Sequence, residues 1–167
     1  VNGSITLDAF ARARDVGTVN GKILLRNGAA ARSVETVNGS IVGVSNLRVE
    51  KTVEAVNGSI ELGAHSLVGG NVETVNGSIT IEALARVGDV STVNGKIVMR
   101  NGVSANSVET VNGSIIGVSN LRIEKGVEAV NGSIEIGASS IVGSNVETVN
   151  GSITLFSLKV NGNVETV

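Results

Sequence analysis

The sequence contains no cysteine, proline, tryptophan or tyrosine, and its only aromatic residues are Phe10 and Phe156. Without cysteine there is no disulfide framework and no thiolate metal site. Ordinary domains fill irregular interior space with aromatic side chains. A chain that does without them has a uniform interior, built from the same small shapes over and over. Charge of one sign is also missing: the net charge is −2 and the signs are interspersed, with no basic stripe that would indicate nucleic acid or an anionic membrane as partner. No apolar run approaches the roughly 20 residues of a spanning helix. No signal peptide and no initiator methionine are visible, and the chain starts and stops inside a repeat, as a processed or excised piece would. There is one histidine, His65.

What is present is repetition, and repeats are read before anything else. The pentapeptide Val-Asn-Gly-Ser-Ile at 1–5 returns, with Lys22 and Lys96 replacing its Ser, at Val19, Val37, Val56, Val75, Val93, Val111, Val130 and Val149. The steps are 18, 18, 19, 19, 18, 18, 19 and 19 residues, so a 74-residue block (1–74) is duplicated (75–148) and a partial third copy begins at 149. Aligned rows give a constant Ile column: Ile5, Ile23, Ile41, Ile60, Ile79, Ile97, Ile115, Ile134 and Ile153. A mostly large apolar column follows two residues later, broken by Gly43 and Gly117. A Val lies three residues before each pentapeptide, as at Val72, and a looser apolar column lies three or four residues before that.

Ile-x-Leu alternation and β-branched residues are strand signals. Each row carries three short apolar groups and is too small to bury its own apolar face, whereas stacked rows can. The expected fold is all-β: a parallel β-helix of about nine coils of 18–19 residues, three short strands per coil, in one domain over 1–167. Right-handed winding is favoured because right-handed crossovers dominate. At roughly 4.8 Å per coil the rod would be about 43 Å long. In this reading the Val and Ile of the pentapeptide are core, and Asn-Gly is a corner that needs positive φ. The extra residue of the 19-residue coils falls between the first two strand groups. No cap is recognisable, and open solenoid ends present unpaired strand edges.

Three columns invite a chemical reading. Nine asparagines stack at one corner: Asn2, Asn20, Asn38, Asn57, Asn76, Asn94, Asn112, Asn131 and Asn150. A ladder of amides along the axis would stabilise the stack. Seven of these are also Asn-Gly-Ser sequons, but a glycan on every coil would crowd its neighbours. A column of carboxylates, Glu35, Glu54, Glu73, Glu109, Glu128 and Glu147 (with Glu165), interrupted by Gly17 and Ser91, reads as a solvated surface stripe. Its sharper reading is weak multi-site cation binding, although no second acidic ligand stands at a fixed offset. A Thr column (Thr18, Thr36, Thr74, Thr92, Thr110, Thr148 and Thr166, with Ala55 and Ala129) reads as filler at a sheet edge, or as a flat ligand array for polysaccharide or ice.

Catalysis finds no footing. His65 is replaced by Ser139 one block later, so the duplicated scaffold does without it, and one histidine cannot assemble a Ser-His-Asp set. Gly17-Thr-Val-Asn-Gly21-Lys22 is one residue short of a phosphate loop and has Ile23 where Ser or Thr is required. The sequence implies no cofactor and no resident metal.

The rows Val-Glu-Thr-Val-Asn-Gly-Ser-Ile, followed by a short apolar strand and a loop such as Ala-Arg-Val-Gly-Asp-Val at 85–90, resemble a bacterial adhesin-type β-strand-repeat family over the whole chain. They are more loosely similar to bactofilins, polymer-forming proteins built as short β-helices. The resemblance implies a parallel β-helix and, for the first family, an exported or cell-envelope location. It carries over no catalytic residue. The function expected is therefore a structural or adhesive, non-enzymatic envelope module. The alternatives are a scaffold that self-associates through its ends, and a flat-face binder of polysaccharide, ice or cations.

Overall fold

A computed structural model of the chain describes residues 2–167. The described residues form strands, bridges and turns with no helix. One coil illustrates all of them. The coil that begins at Val56 has strands at Ile60–Ala64, Leu67–Val68 and Val72–Asn76. The three types are called here the Ile strand, the short strand and the long strand. Like strands of successive coils pair in parallel, which builds a nine-stranded Ile sheet and a nine-stranded long sheet. The short strands form runs of three and four, linked through single bridges at Arg86. The molecule is a β-solenoid of about nine turns.

The register places each residue on its equivalent. Val72 lies between Val53 and Val90, Asn76 between Asn57 and Asn94, and Ile79 between Ile60 and Ile97. A sequence whose columns are constant can pair in only one register without bringing unlike shapes together. Ile23, Ile41, Ile60, Ile79, Ile97, Ile115 and Ile134 are buried, while Ile5 and Ile153 in the outermost coils are half-buried. The core runs the length of the stack and is aliphatic throughout, with Met99 its one sulfur-bearing member.

Several features differ from the sequence expectation. The Val that opens each pentapeptide is not core: Val19, Val37, Val56, Val75, Val93, Val111, Val130 and Val149 all face outward. The Thr before it is the buried residue. Alternation along a strand has period two, so Val72 points in, Glu73 out, Thr74 in and Val75 out. Two valines three residues apart must face opposite ways, and the register chose the first.

The extra residue of the long coils also sits elsewhere. From Ile to the short-strand core residue the offset is eight in both coil types, as from Ile23 to Ala31 and from Ile41 to Val49. From there to the long-strand Val the offset is three in the short coil (Ala31 to Val34) and four in the long one (Val49 to Val53). The length difference is absorbed at the corner entering the long sheet.

The Asn-Gly corner is tight for a different reason than backbone handedness. No pentapeptide Asn has positive φ among the described residues. A Cβ on Gly77 would instead collide with the carbonyl oxygen of Gly58, and one on Gly58 with that of Gly39. Glycine is required because coils stack glycine on glycine with no room for a methyl group.

At the Asn-Gly corner only Gly3 and Gly21 have positive φ among the described residues, whereas a second corner, with no constant residue, has it in every coil. Phe10, Gly28, Asn46, His65, Leu84, Gly102, Asn120, Ser139 and Ser157 supply one such residue per coil, just before the short strand. None is β-branched, as this conformation demands. Two of its large residues are followed in the next coil by glycine: Phe10 lies over Gly28 and Leu84 over Gly102. This column accounts for Phe10 and His65. Both are exposed turn residues.

Candidate functional site

With the inward side taken up by the stack, chemistry has to be sought on the corners and outer faces. The asparagine corner is a continuous hydrogen-bonded ladder. Each amide Nδ2 donates to the Oδ1 of the coil before, from Asn20 to Asn2 (2.6 Å) through Asn150 to Asn131 (2.9 Å). Neighbouring rungs such as Asn94 to Asn76 measure 2.8 Å. Each central amide therefore uses one donor and one acceptor along the axis. The side chains remain on the surface, where neutral hydrogen bonds contribute about 1 kcal/mol each.

The threonine column is sewn to this corner from inside. Thr74 Oγ1 donates to the Gly58 carbonyl (2.9 Å), Thr92 to Gly77 (3.0 Å) and Thr148 to Gly132 (2.8 Å). Thr36, Thr74, Thr92, Thr110 and Thr148 are buried, so their hydroxyls cannot form a flat array for ice or polysaccharide. The ligand-array expectation is overturned on this point. A buried hydroxyl needs an acceptor, and the corner glycine carbonyl of the preceding turn provides it. No buried side-chain nitrogen or oxygen among the described residues lacks a hydrogen-bond partner.

What the long sheet does present outward is a two-column face. Its glutamates (Glu35, Glu54, Glu73, Glu109, Glu128, Glu147) form one row and its valines (Val37, Val56, Val75, Val93, Val111, Val130) the other. Between the rows runs a groove of about 700 Å³, floored by the Thr column and its backbone. The carboxylates stack directly: Glu54 on Glu35, Glu73 on Glu54, and Glu128 between Glu109 and Glu147. Like charges one strand apart repel. The Glu128 carboxyl is held above the ordinary carboxylate range, first by partial burial, then by Glu109 and Glu147. Asn71 and Asn145 donate to Glu73 (2.9 Å) and Glu147 (2.7 Å), which fixes those two carboxylates. No group of three or more potential metal ligands is found among the described residues.

The step in corner length leaves a second feature that sequence reading missed. Where a short coil meets a long one, a polar ledge opens beside Asp15, Ser33 and Lys51, and again beside Asp89, Ser107 and Lys125. These are the same residues 74 positions apart. Ser33 donates to Asp15 (2.8 Å) and Ser107 to Asp89 (2.7 Å). In the first ledge Arg32 also grips Asp15 with two hydrogen bonds (3.0 and 2.8 Å), and holds the Asp15 carboxyl below its usual range. In the second, Asn106 takes that place. The signal was available in the three-or-four offset between the apolar columns, which marks the coils where the ledge must fall.

No helix among the described residues is long and apolar enough to cross a membrane. Compared with protein-family models, with curated protein sequences and with solved structures, the chain matches none.

Proposed function

We propose that the chain is a non-enzymatic structural or adhesive module of the bacterial cell envelope. It is a rigid rod whose work is done by its outer faces. The observation that carries this reading is the fate of its repeated polar residues. The constant Asn and the recurring Thr, two of the three candidate columns, are bonded along the stack. The groove between the Glu and Val columns is left as a long feature that repeats outward. A side wall of this kind suits repeated weak contacts over a length rather than one deep pocket. Flat-face binding thus moves from the Thr column to the Glu and Val columns.

The test is surface display. Cells that present the chain should adhere to a cationic, partly apolar support better than cells that present a variant with Val56, Val75, Val93 and Val111 all replaced by Ser. Equal adherence by the two strains, with equal display, would refute the face as the working surface. Envelope fractionation with an antibody to the chain tests the location separately, and recovery only in the cytosolic fraction would count against it.

A further inference from the structure

We propose that the groove on the long sheet receives the short-sheet ridge of a second copy of this chain, so that rods associate side by side. The groove has an acidic wall, including Glu54, Glu73, Glu109 and Glu128, and an apolar wall, including Val56, Val75, Val93 and Val111 at 39–41% exposure. The complementary surface is the outward column of the short sheet. Its pairing is continuous from Arg12 through Ala30, Arg48, Leu67, Arg86 and Ser104 to Arg122, Ile141 and Lys159. A basic residue thus occurs on every second coil, with small or aliphatic residues between. Leu67 and Ile141 are 42% and 43% exposed, so the ridge carries apolar surface between its cations.

Charge and polarity match side by side. A ridge of alternating cations and aliphatic residues, laid in the groove, turns its guanidinium groups to the glutamate wall and its Leu and Ile to the valine wall. Arg12, Arg48 and Arg86 have no ion-pair partner among the described residues. The glutamates crowd one another, and a facing cation would relieve them.

The period selects the occupant. Both columns advance one residue per coil, roughly 4.8 Å, so two rods stay in step over their whole length. An extended peptide shows a same-face side chain about every 6.8 Å and falls out of step within a few rungs. Ridge and groove lie on different sides of the rod, so the contact is heterologous and leaves one ridge and one groove unfilled for a further copy. A strip about 43 Å by 10 Å buries about 430 Å² per partner, below the roughly 800 Å² of a stable interface. The association is therefore weak, concentration-dependent and sensitive to salt. It needs only the side faces, and holds whether or not the rod sits in an envelope.

Sedimentation velocity on the full chain, over a wide concentration range in low and molar salt, tests the proposal with two variants. One reverses the groove (Glu54→Lys, Glu73→Lys, Glu109→Lys, Glu128→Lys). The other reverses the ridge (Arg48→Glu, Arg86→Glu, Arg122→Glu). The wild-type chain should self-associate, at least about tenfold more weakly in molar salt. Each variant alone should lose at least about tenfold in association. An equimolar mixture of the two should recover it, because the reversed ridge now fits the reversed groove. A wild-type chain that stays monomeric throughout overturns the proposal. So does association that ignores either reversal, or a mixture that fails to recover. If a reversed variant does not fold, the Glu→Gln and Arg→Gln sets replace it, and association unchanged by those sets overturns the proposal equally.

Discussion

Gly43 and Gly117 interrupt an otherwise large apolar column, and the structure ties each to a specific partner. A Cβ on Gly43 would strike Leu47 Cδ1, and one on Gly117 would strike Leu121 Cδ1. Leu47 and Leu121 are each 1% exposed. In the coil before, the equivalent pair is Leu25 and Ala29, both buried. Large and small have traded places, so the two positions share one volume. Leu47→Ala removes three carbons from the core, about 2.4 kcal/mol at roughly 0.8 kcal/mol each. A cavity that keeps about 40 Å³ adds about 1 kcal/mol, for a total of about 3 kcal/mol. Gly43→Leu alone overfills the site and should cost at least about 2 kcal/mol. Were the positions independent, the double variant would lose about 5 kcal/mol. Because it recreates the Leu25–Ala29 pair, its expected loss is within about 1 kcal/mol of wild type, a coupling of about 4 kcal/mol. Urea unfolding of the four chains, followed by far-UV circular dichroism, measures the cycle. Losses that simply add would refute the shared-volume argument.

Other outcomes follow from the same packing. Thr74→Ala should cost about 1 kcal/mol by removing the bond to the Gly58 carbonyl. The reverse change, Ala55→Thr, offers a hydroxyl to the corner carbonyl one turn before and should raise the urea midpoint; a fall would mean that the site is too tight for the extra atoms. Gly77→Ala puts a methyl group against the Gly58 carbonyl, which is backbone and cannot swing aside, so a loss of about 2 kcal/mol or more is expected in the same assay. Glu128→Gln tests the carboxylate row through its pH dependence. Because the folded-state pKa is raised, ionisation opposes folding: the protonated form's contribution is full below the unfolded value and is lost as pH rises through the folded one. The variant should therefore be the more stable at neutral pH, with the difference closing as pH falls through the raised folded value and gone below the unfolded value of about 4.3. A difference that is constant with pH would dissociate the row from stability.

The stack was readable because a solenoid writes its geometry into column identity. The Ile column alone determines strand, register and coil count, since each Ile pairs with the next along the sheet. The parity of Val-Glu-Thr-Val was not readable in the same way. Hydropathy favours two inward valines, but a strand cannot turn residues three apart to one face. Thr is close to Val in shape, and an inward Thr is inexpensive once its hydroxyl has a carbonyl to meet. That carbonyl belongs to a corner fifteen or sixteen residues earlier, as for Thr92 and Gly77 or Thr74 and Gly58. The positive-φ corner escaped for the opposite reason. Its residues range from Phe10 to Gly28 to His65, because the backbone there excludes β-branching and asks for nothing else. Gly43 and Gly117 looked like defects in a column when the partner that explains them lies four residues on.

Stacking each residue on its own equivalent has a consequence for where function can reside. A side chain in the core or at the Asn-Gly corner is copied because its neighbours above and below must be the same shape, so constancy there reports packing. Asn94 must match Asn76, and Gly95 must clear Gly77, whatever the protein binds. The outward columns are under no such constraint, and most vary accordingly: the outer positions of the Ile sheet run Thr6, Leu24, Val42, Glu61, Thr80. Valine on the long sheet does not vary in this way, and glutamate gives way only at Gly17 and Ser91, although the stacked carboxylates repel. A costly repeat on an open face, unlike one in a core, needs an external object with the same period to explain it. The outward column of the short sheet advances by the same one residue per coil, with a cation on every second coil, and is an object of that spacing that this chain itself supplies.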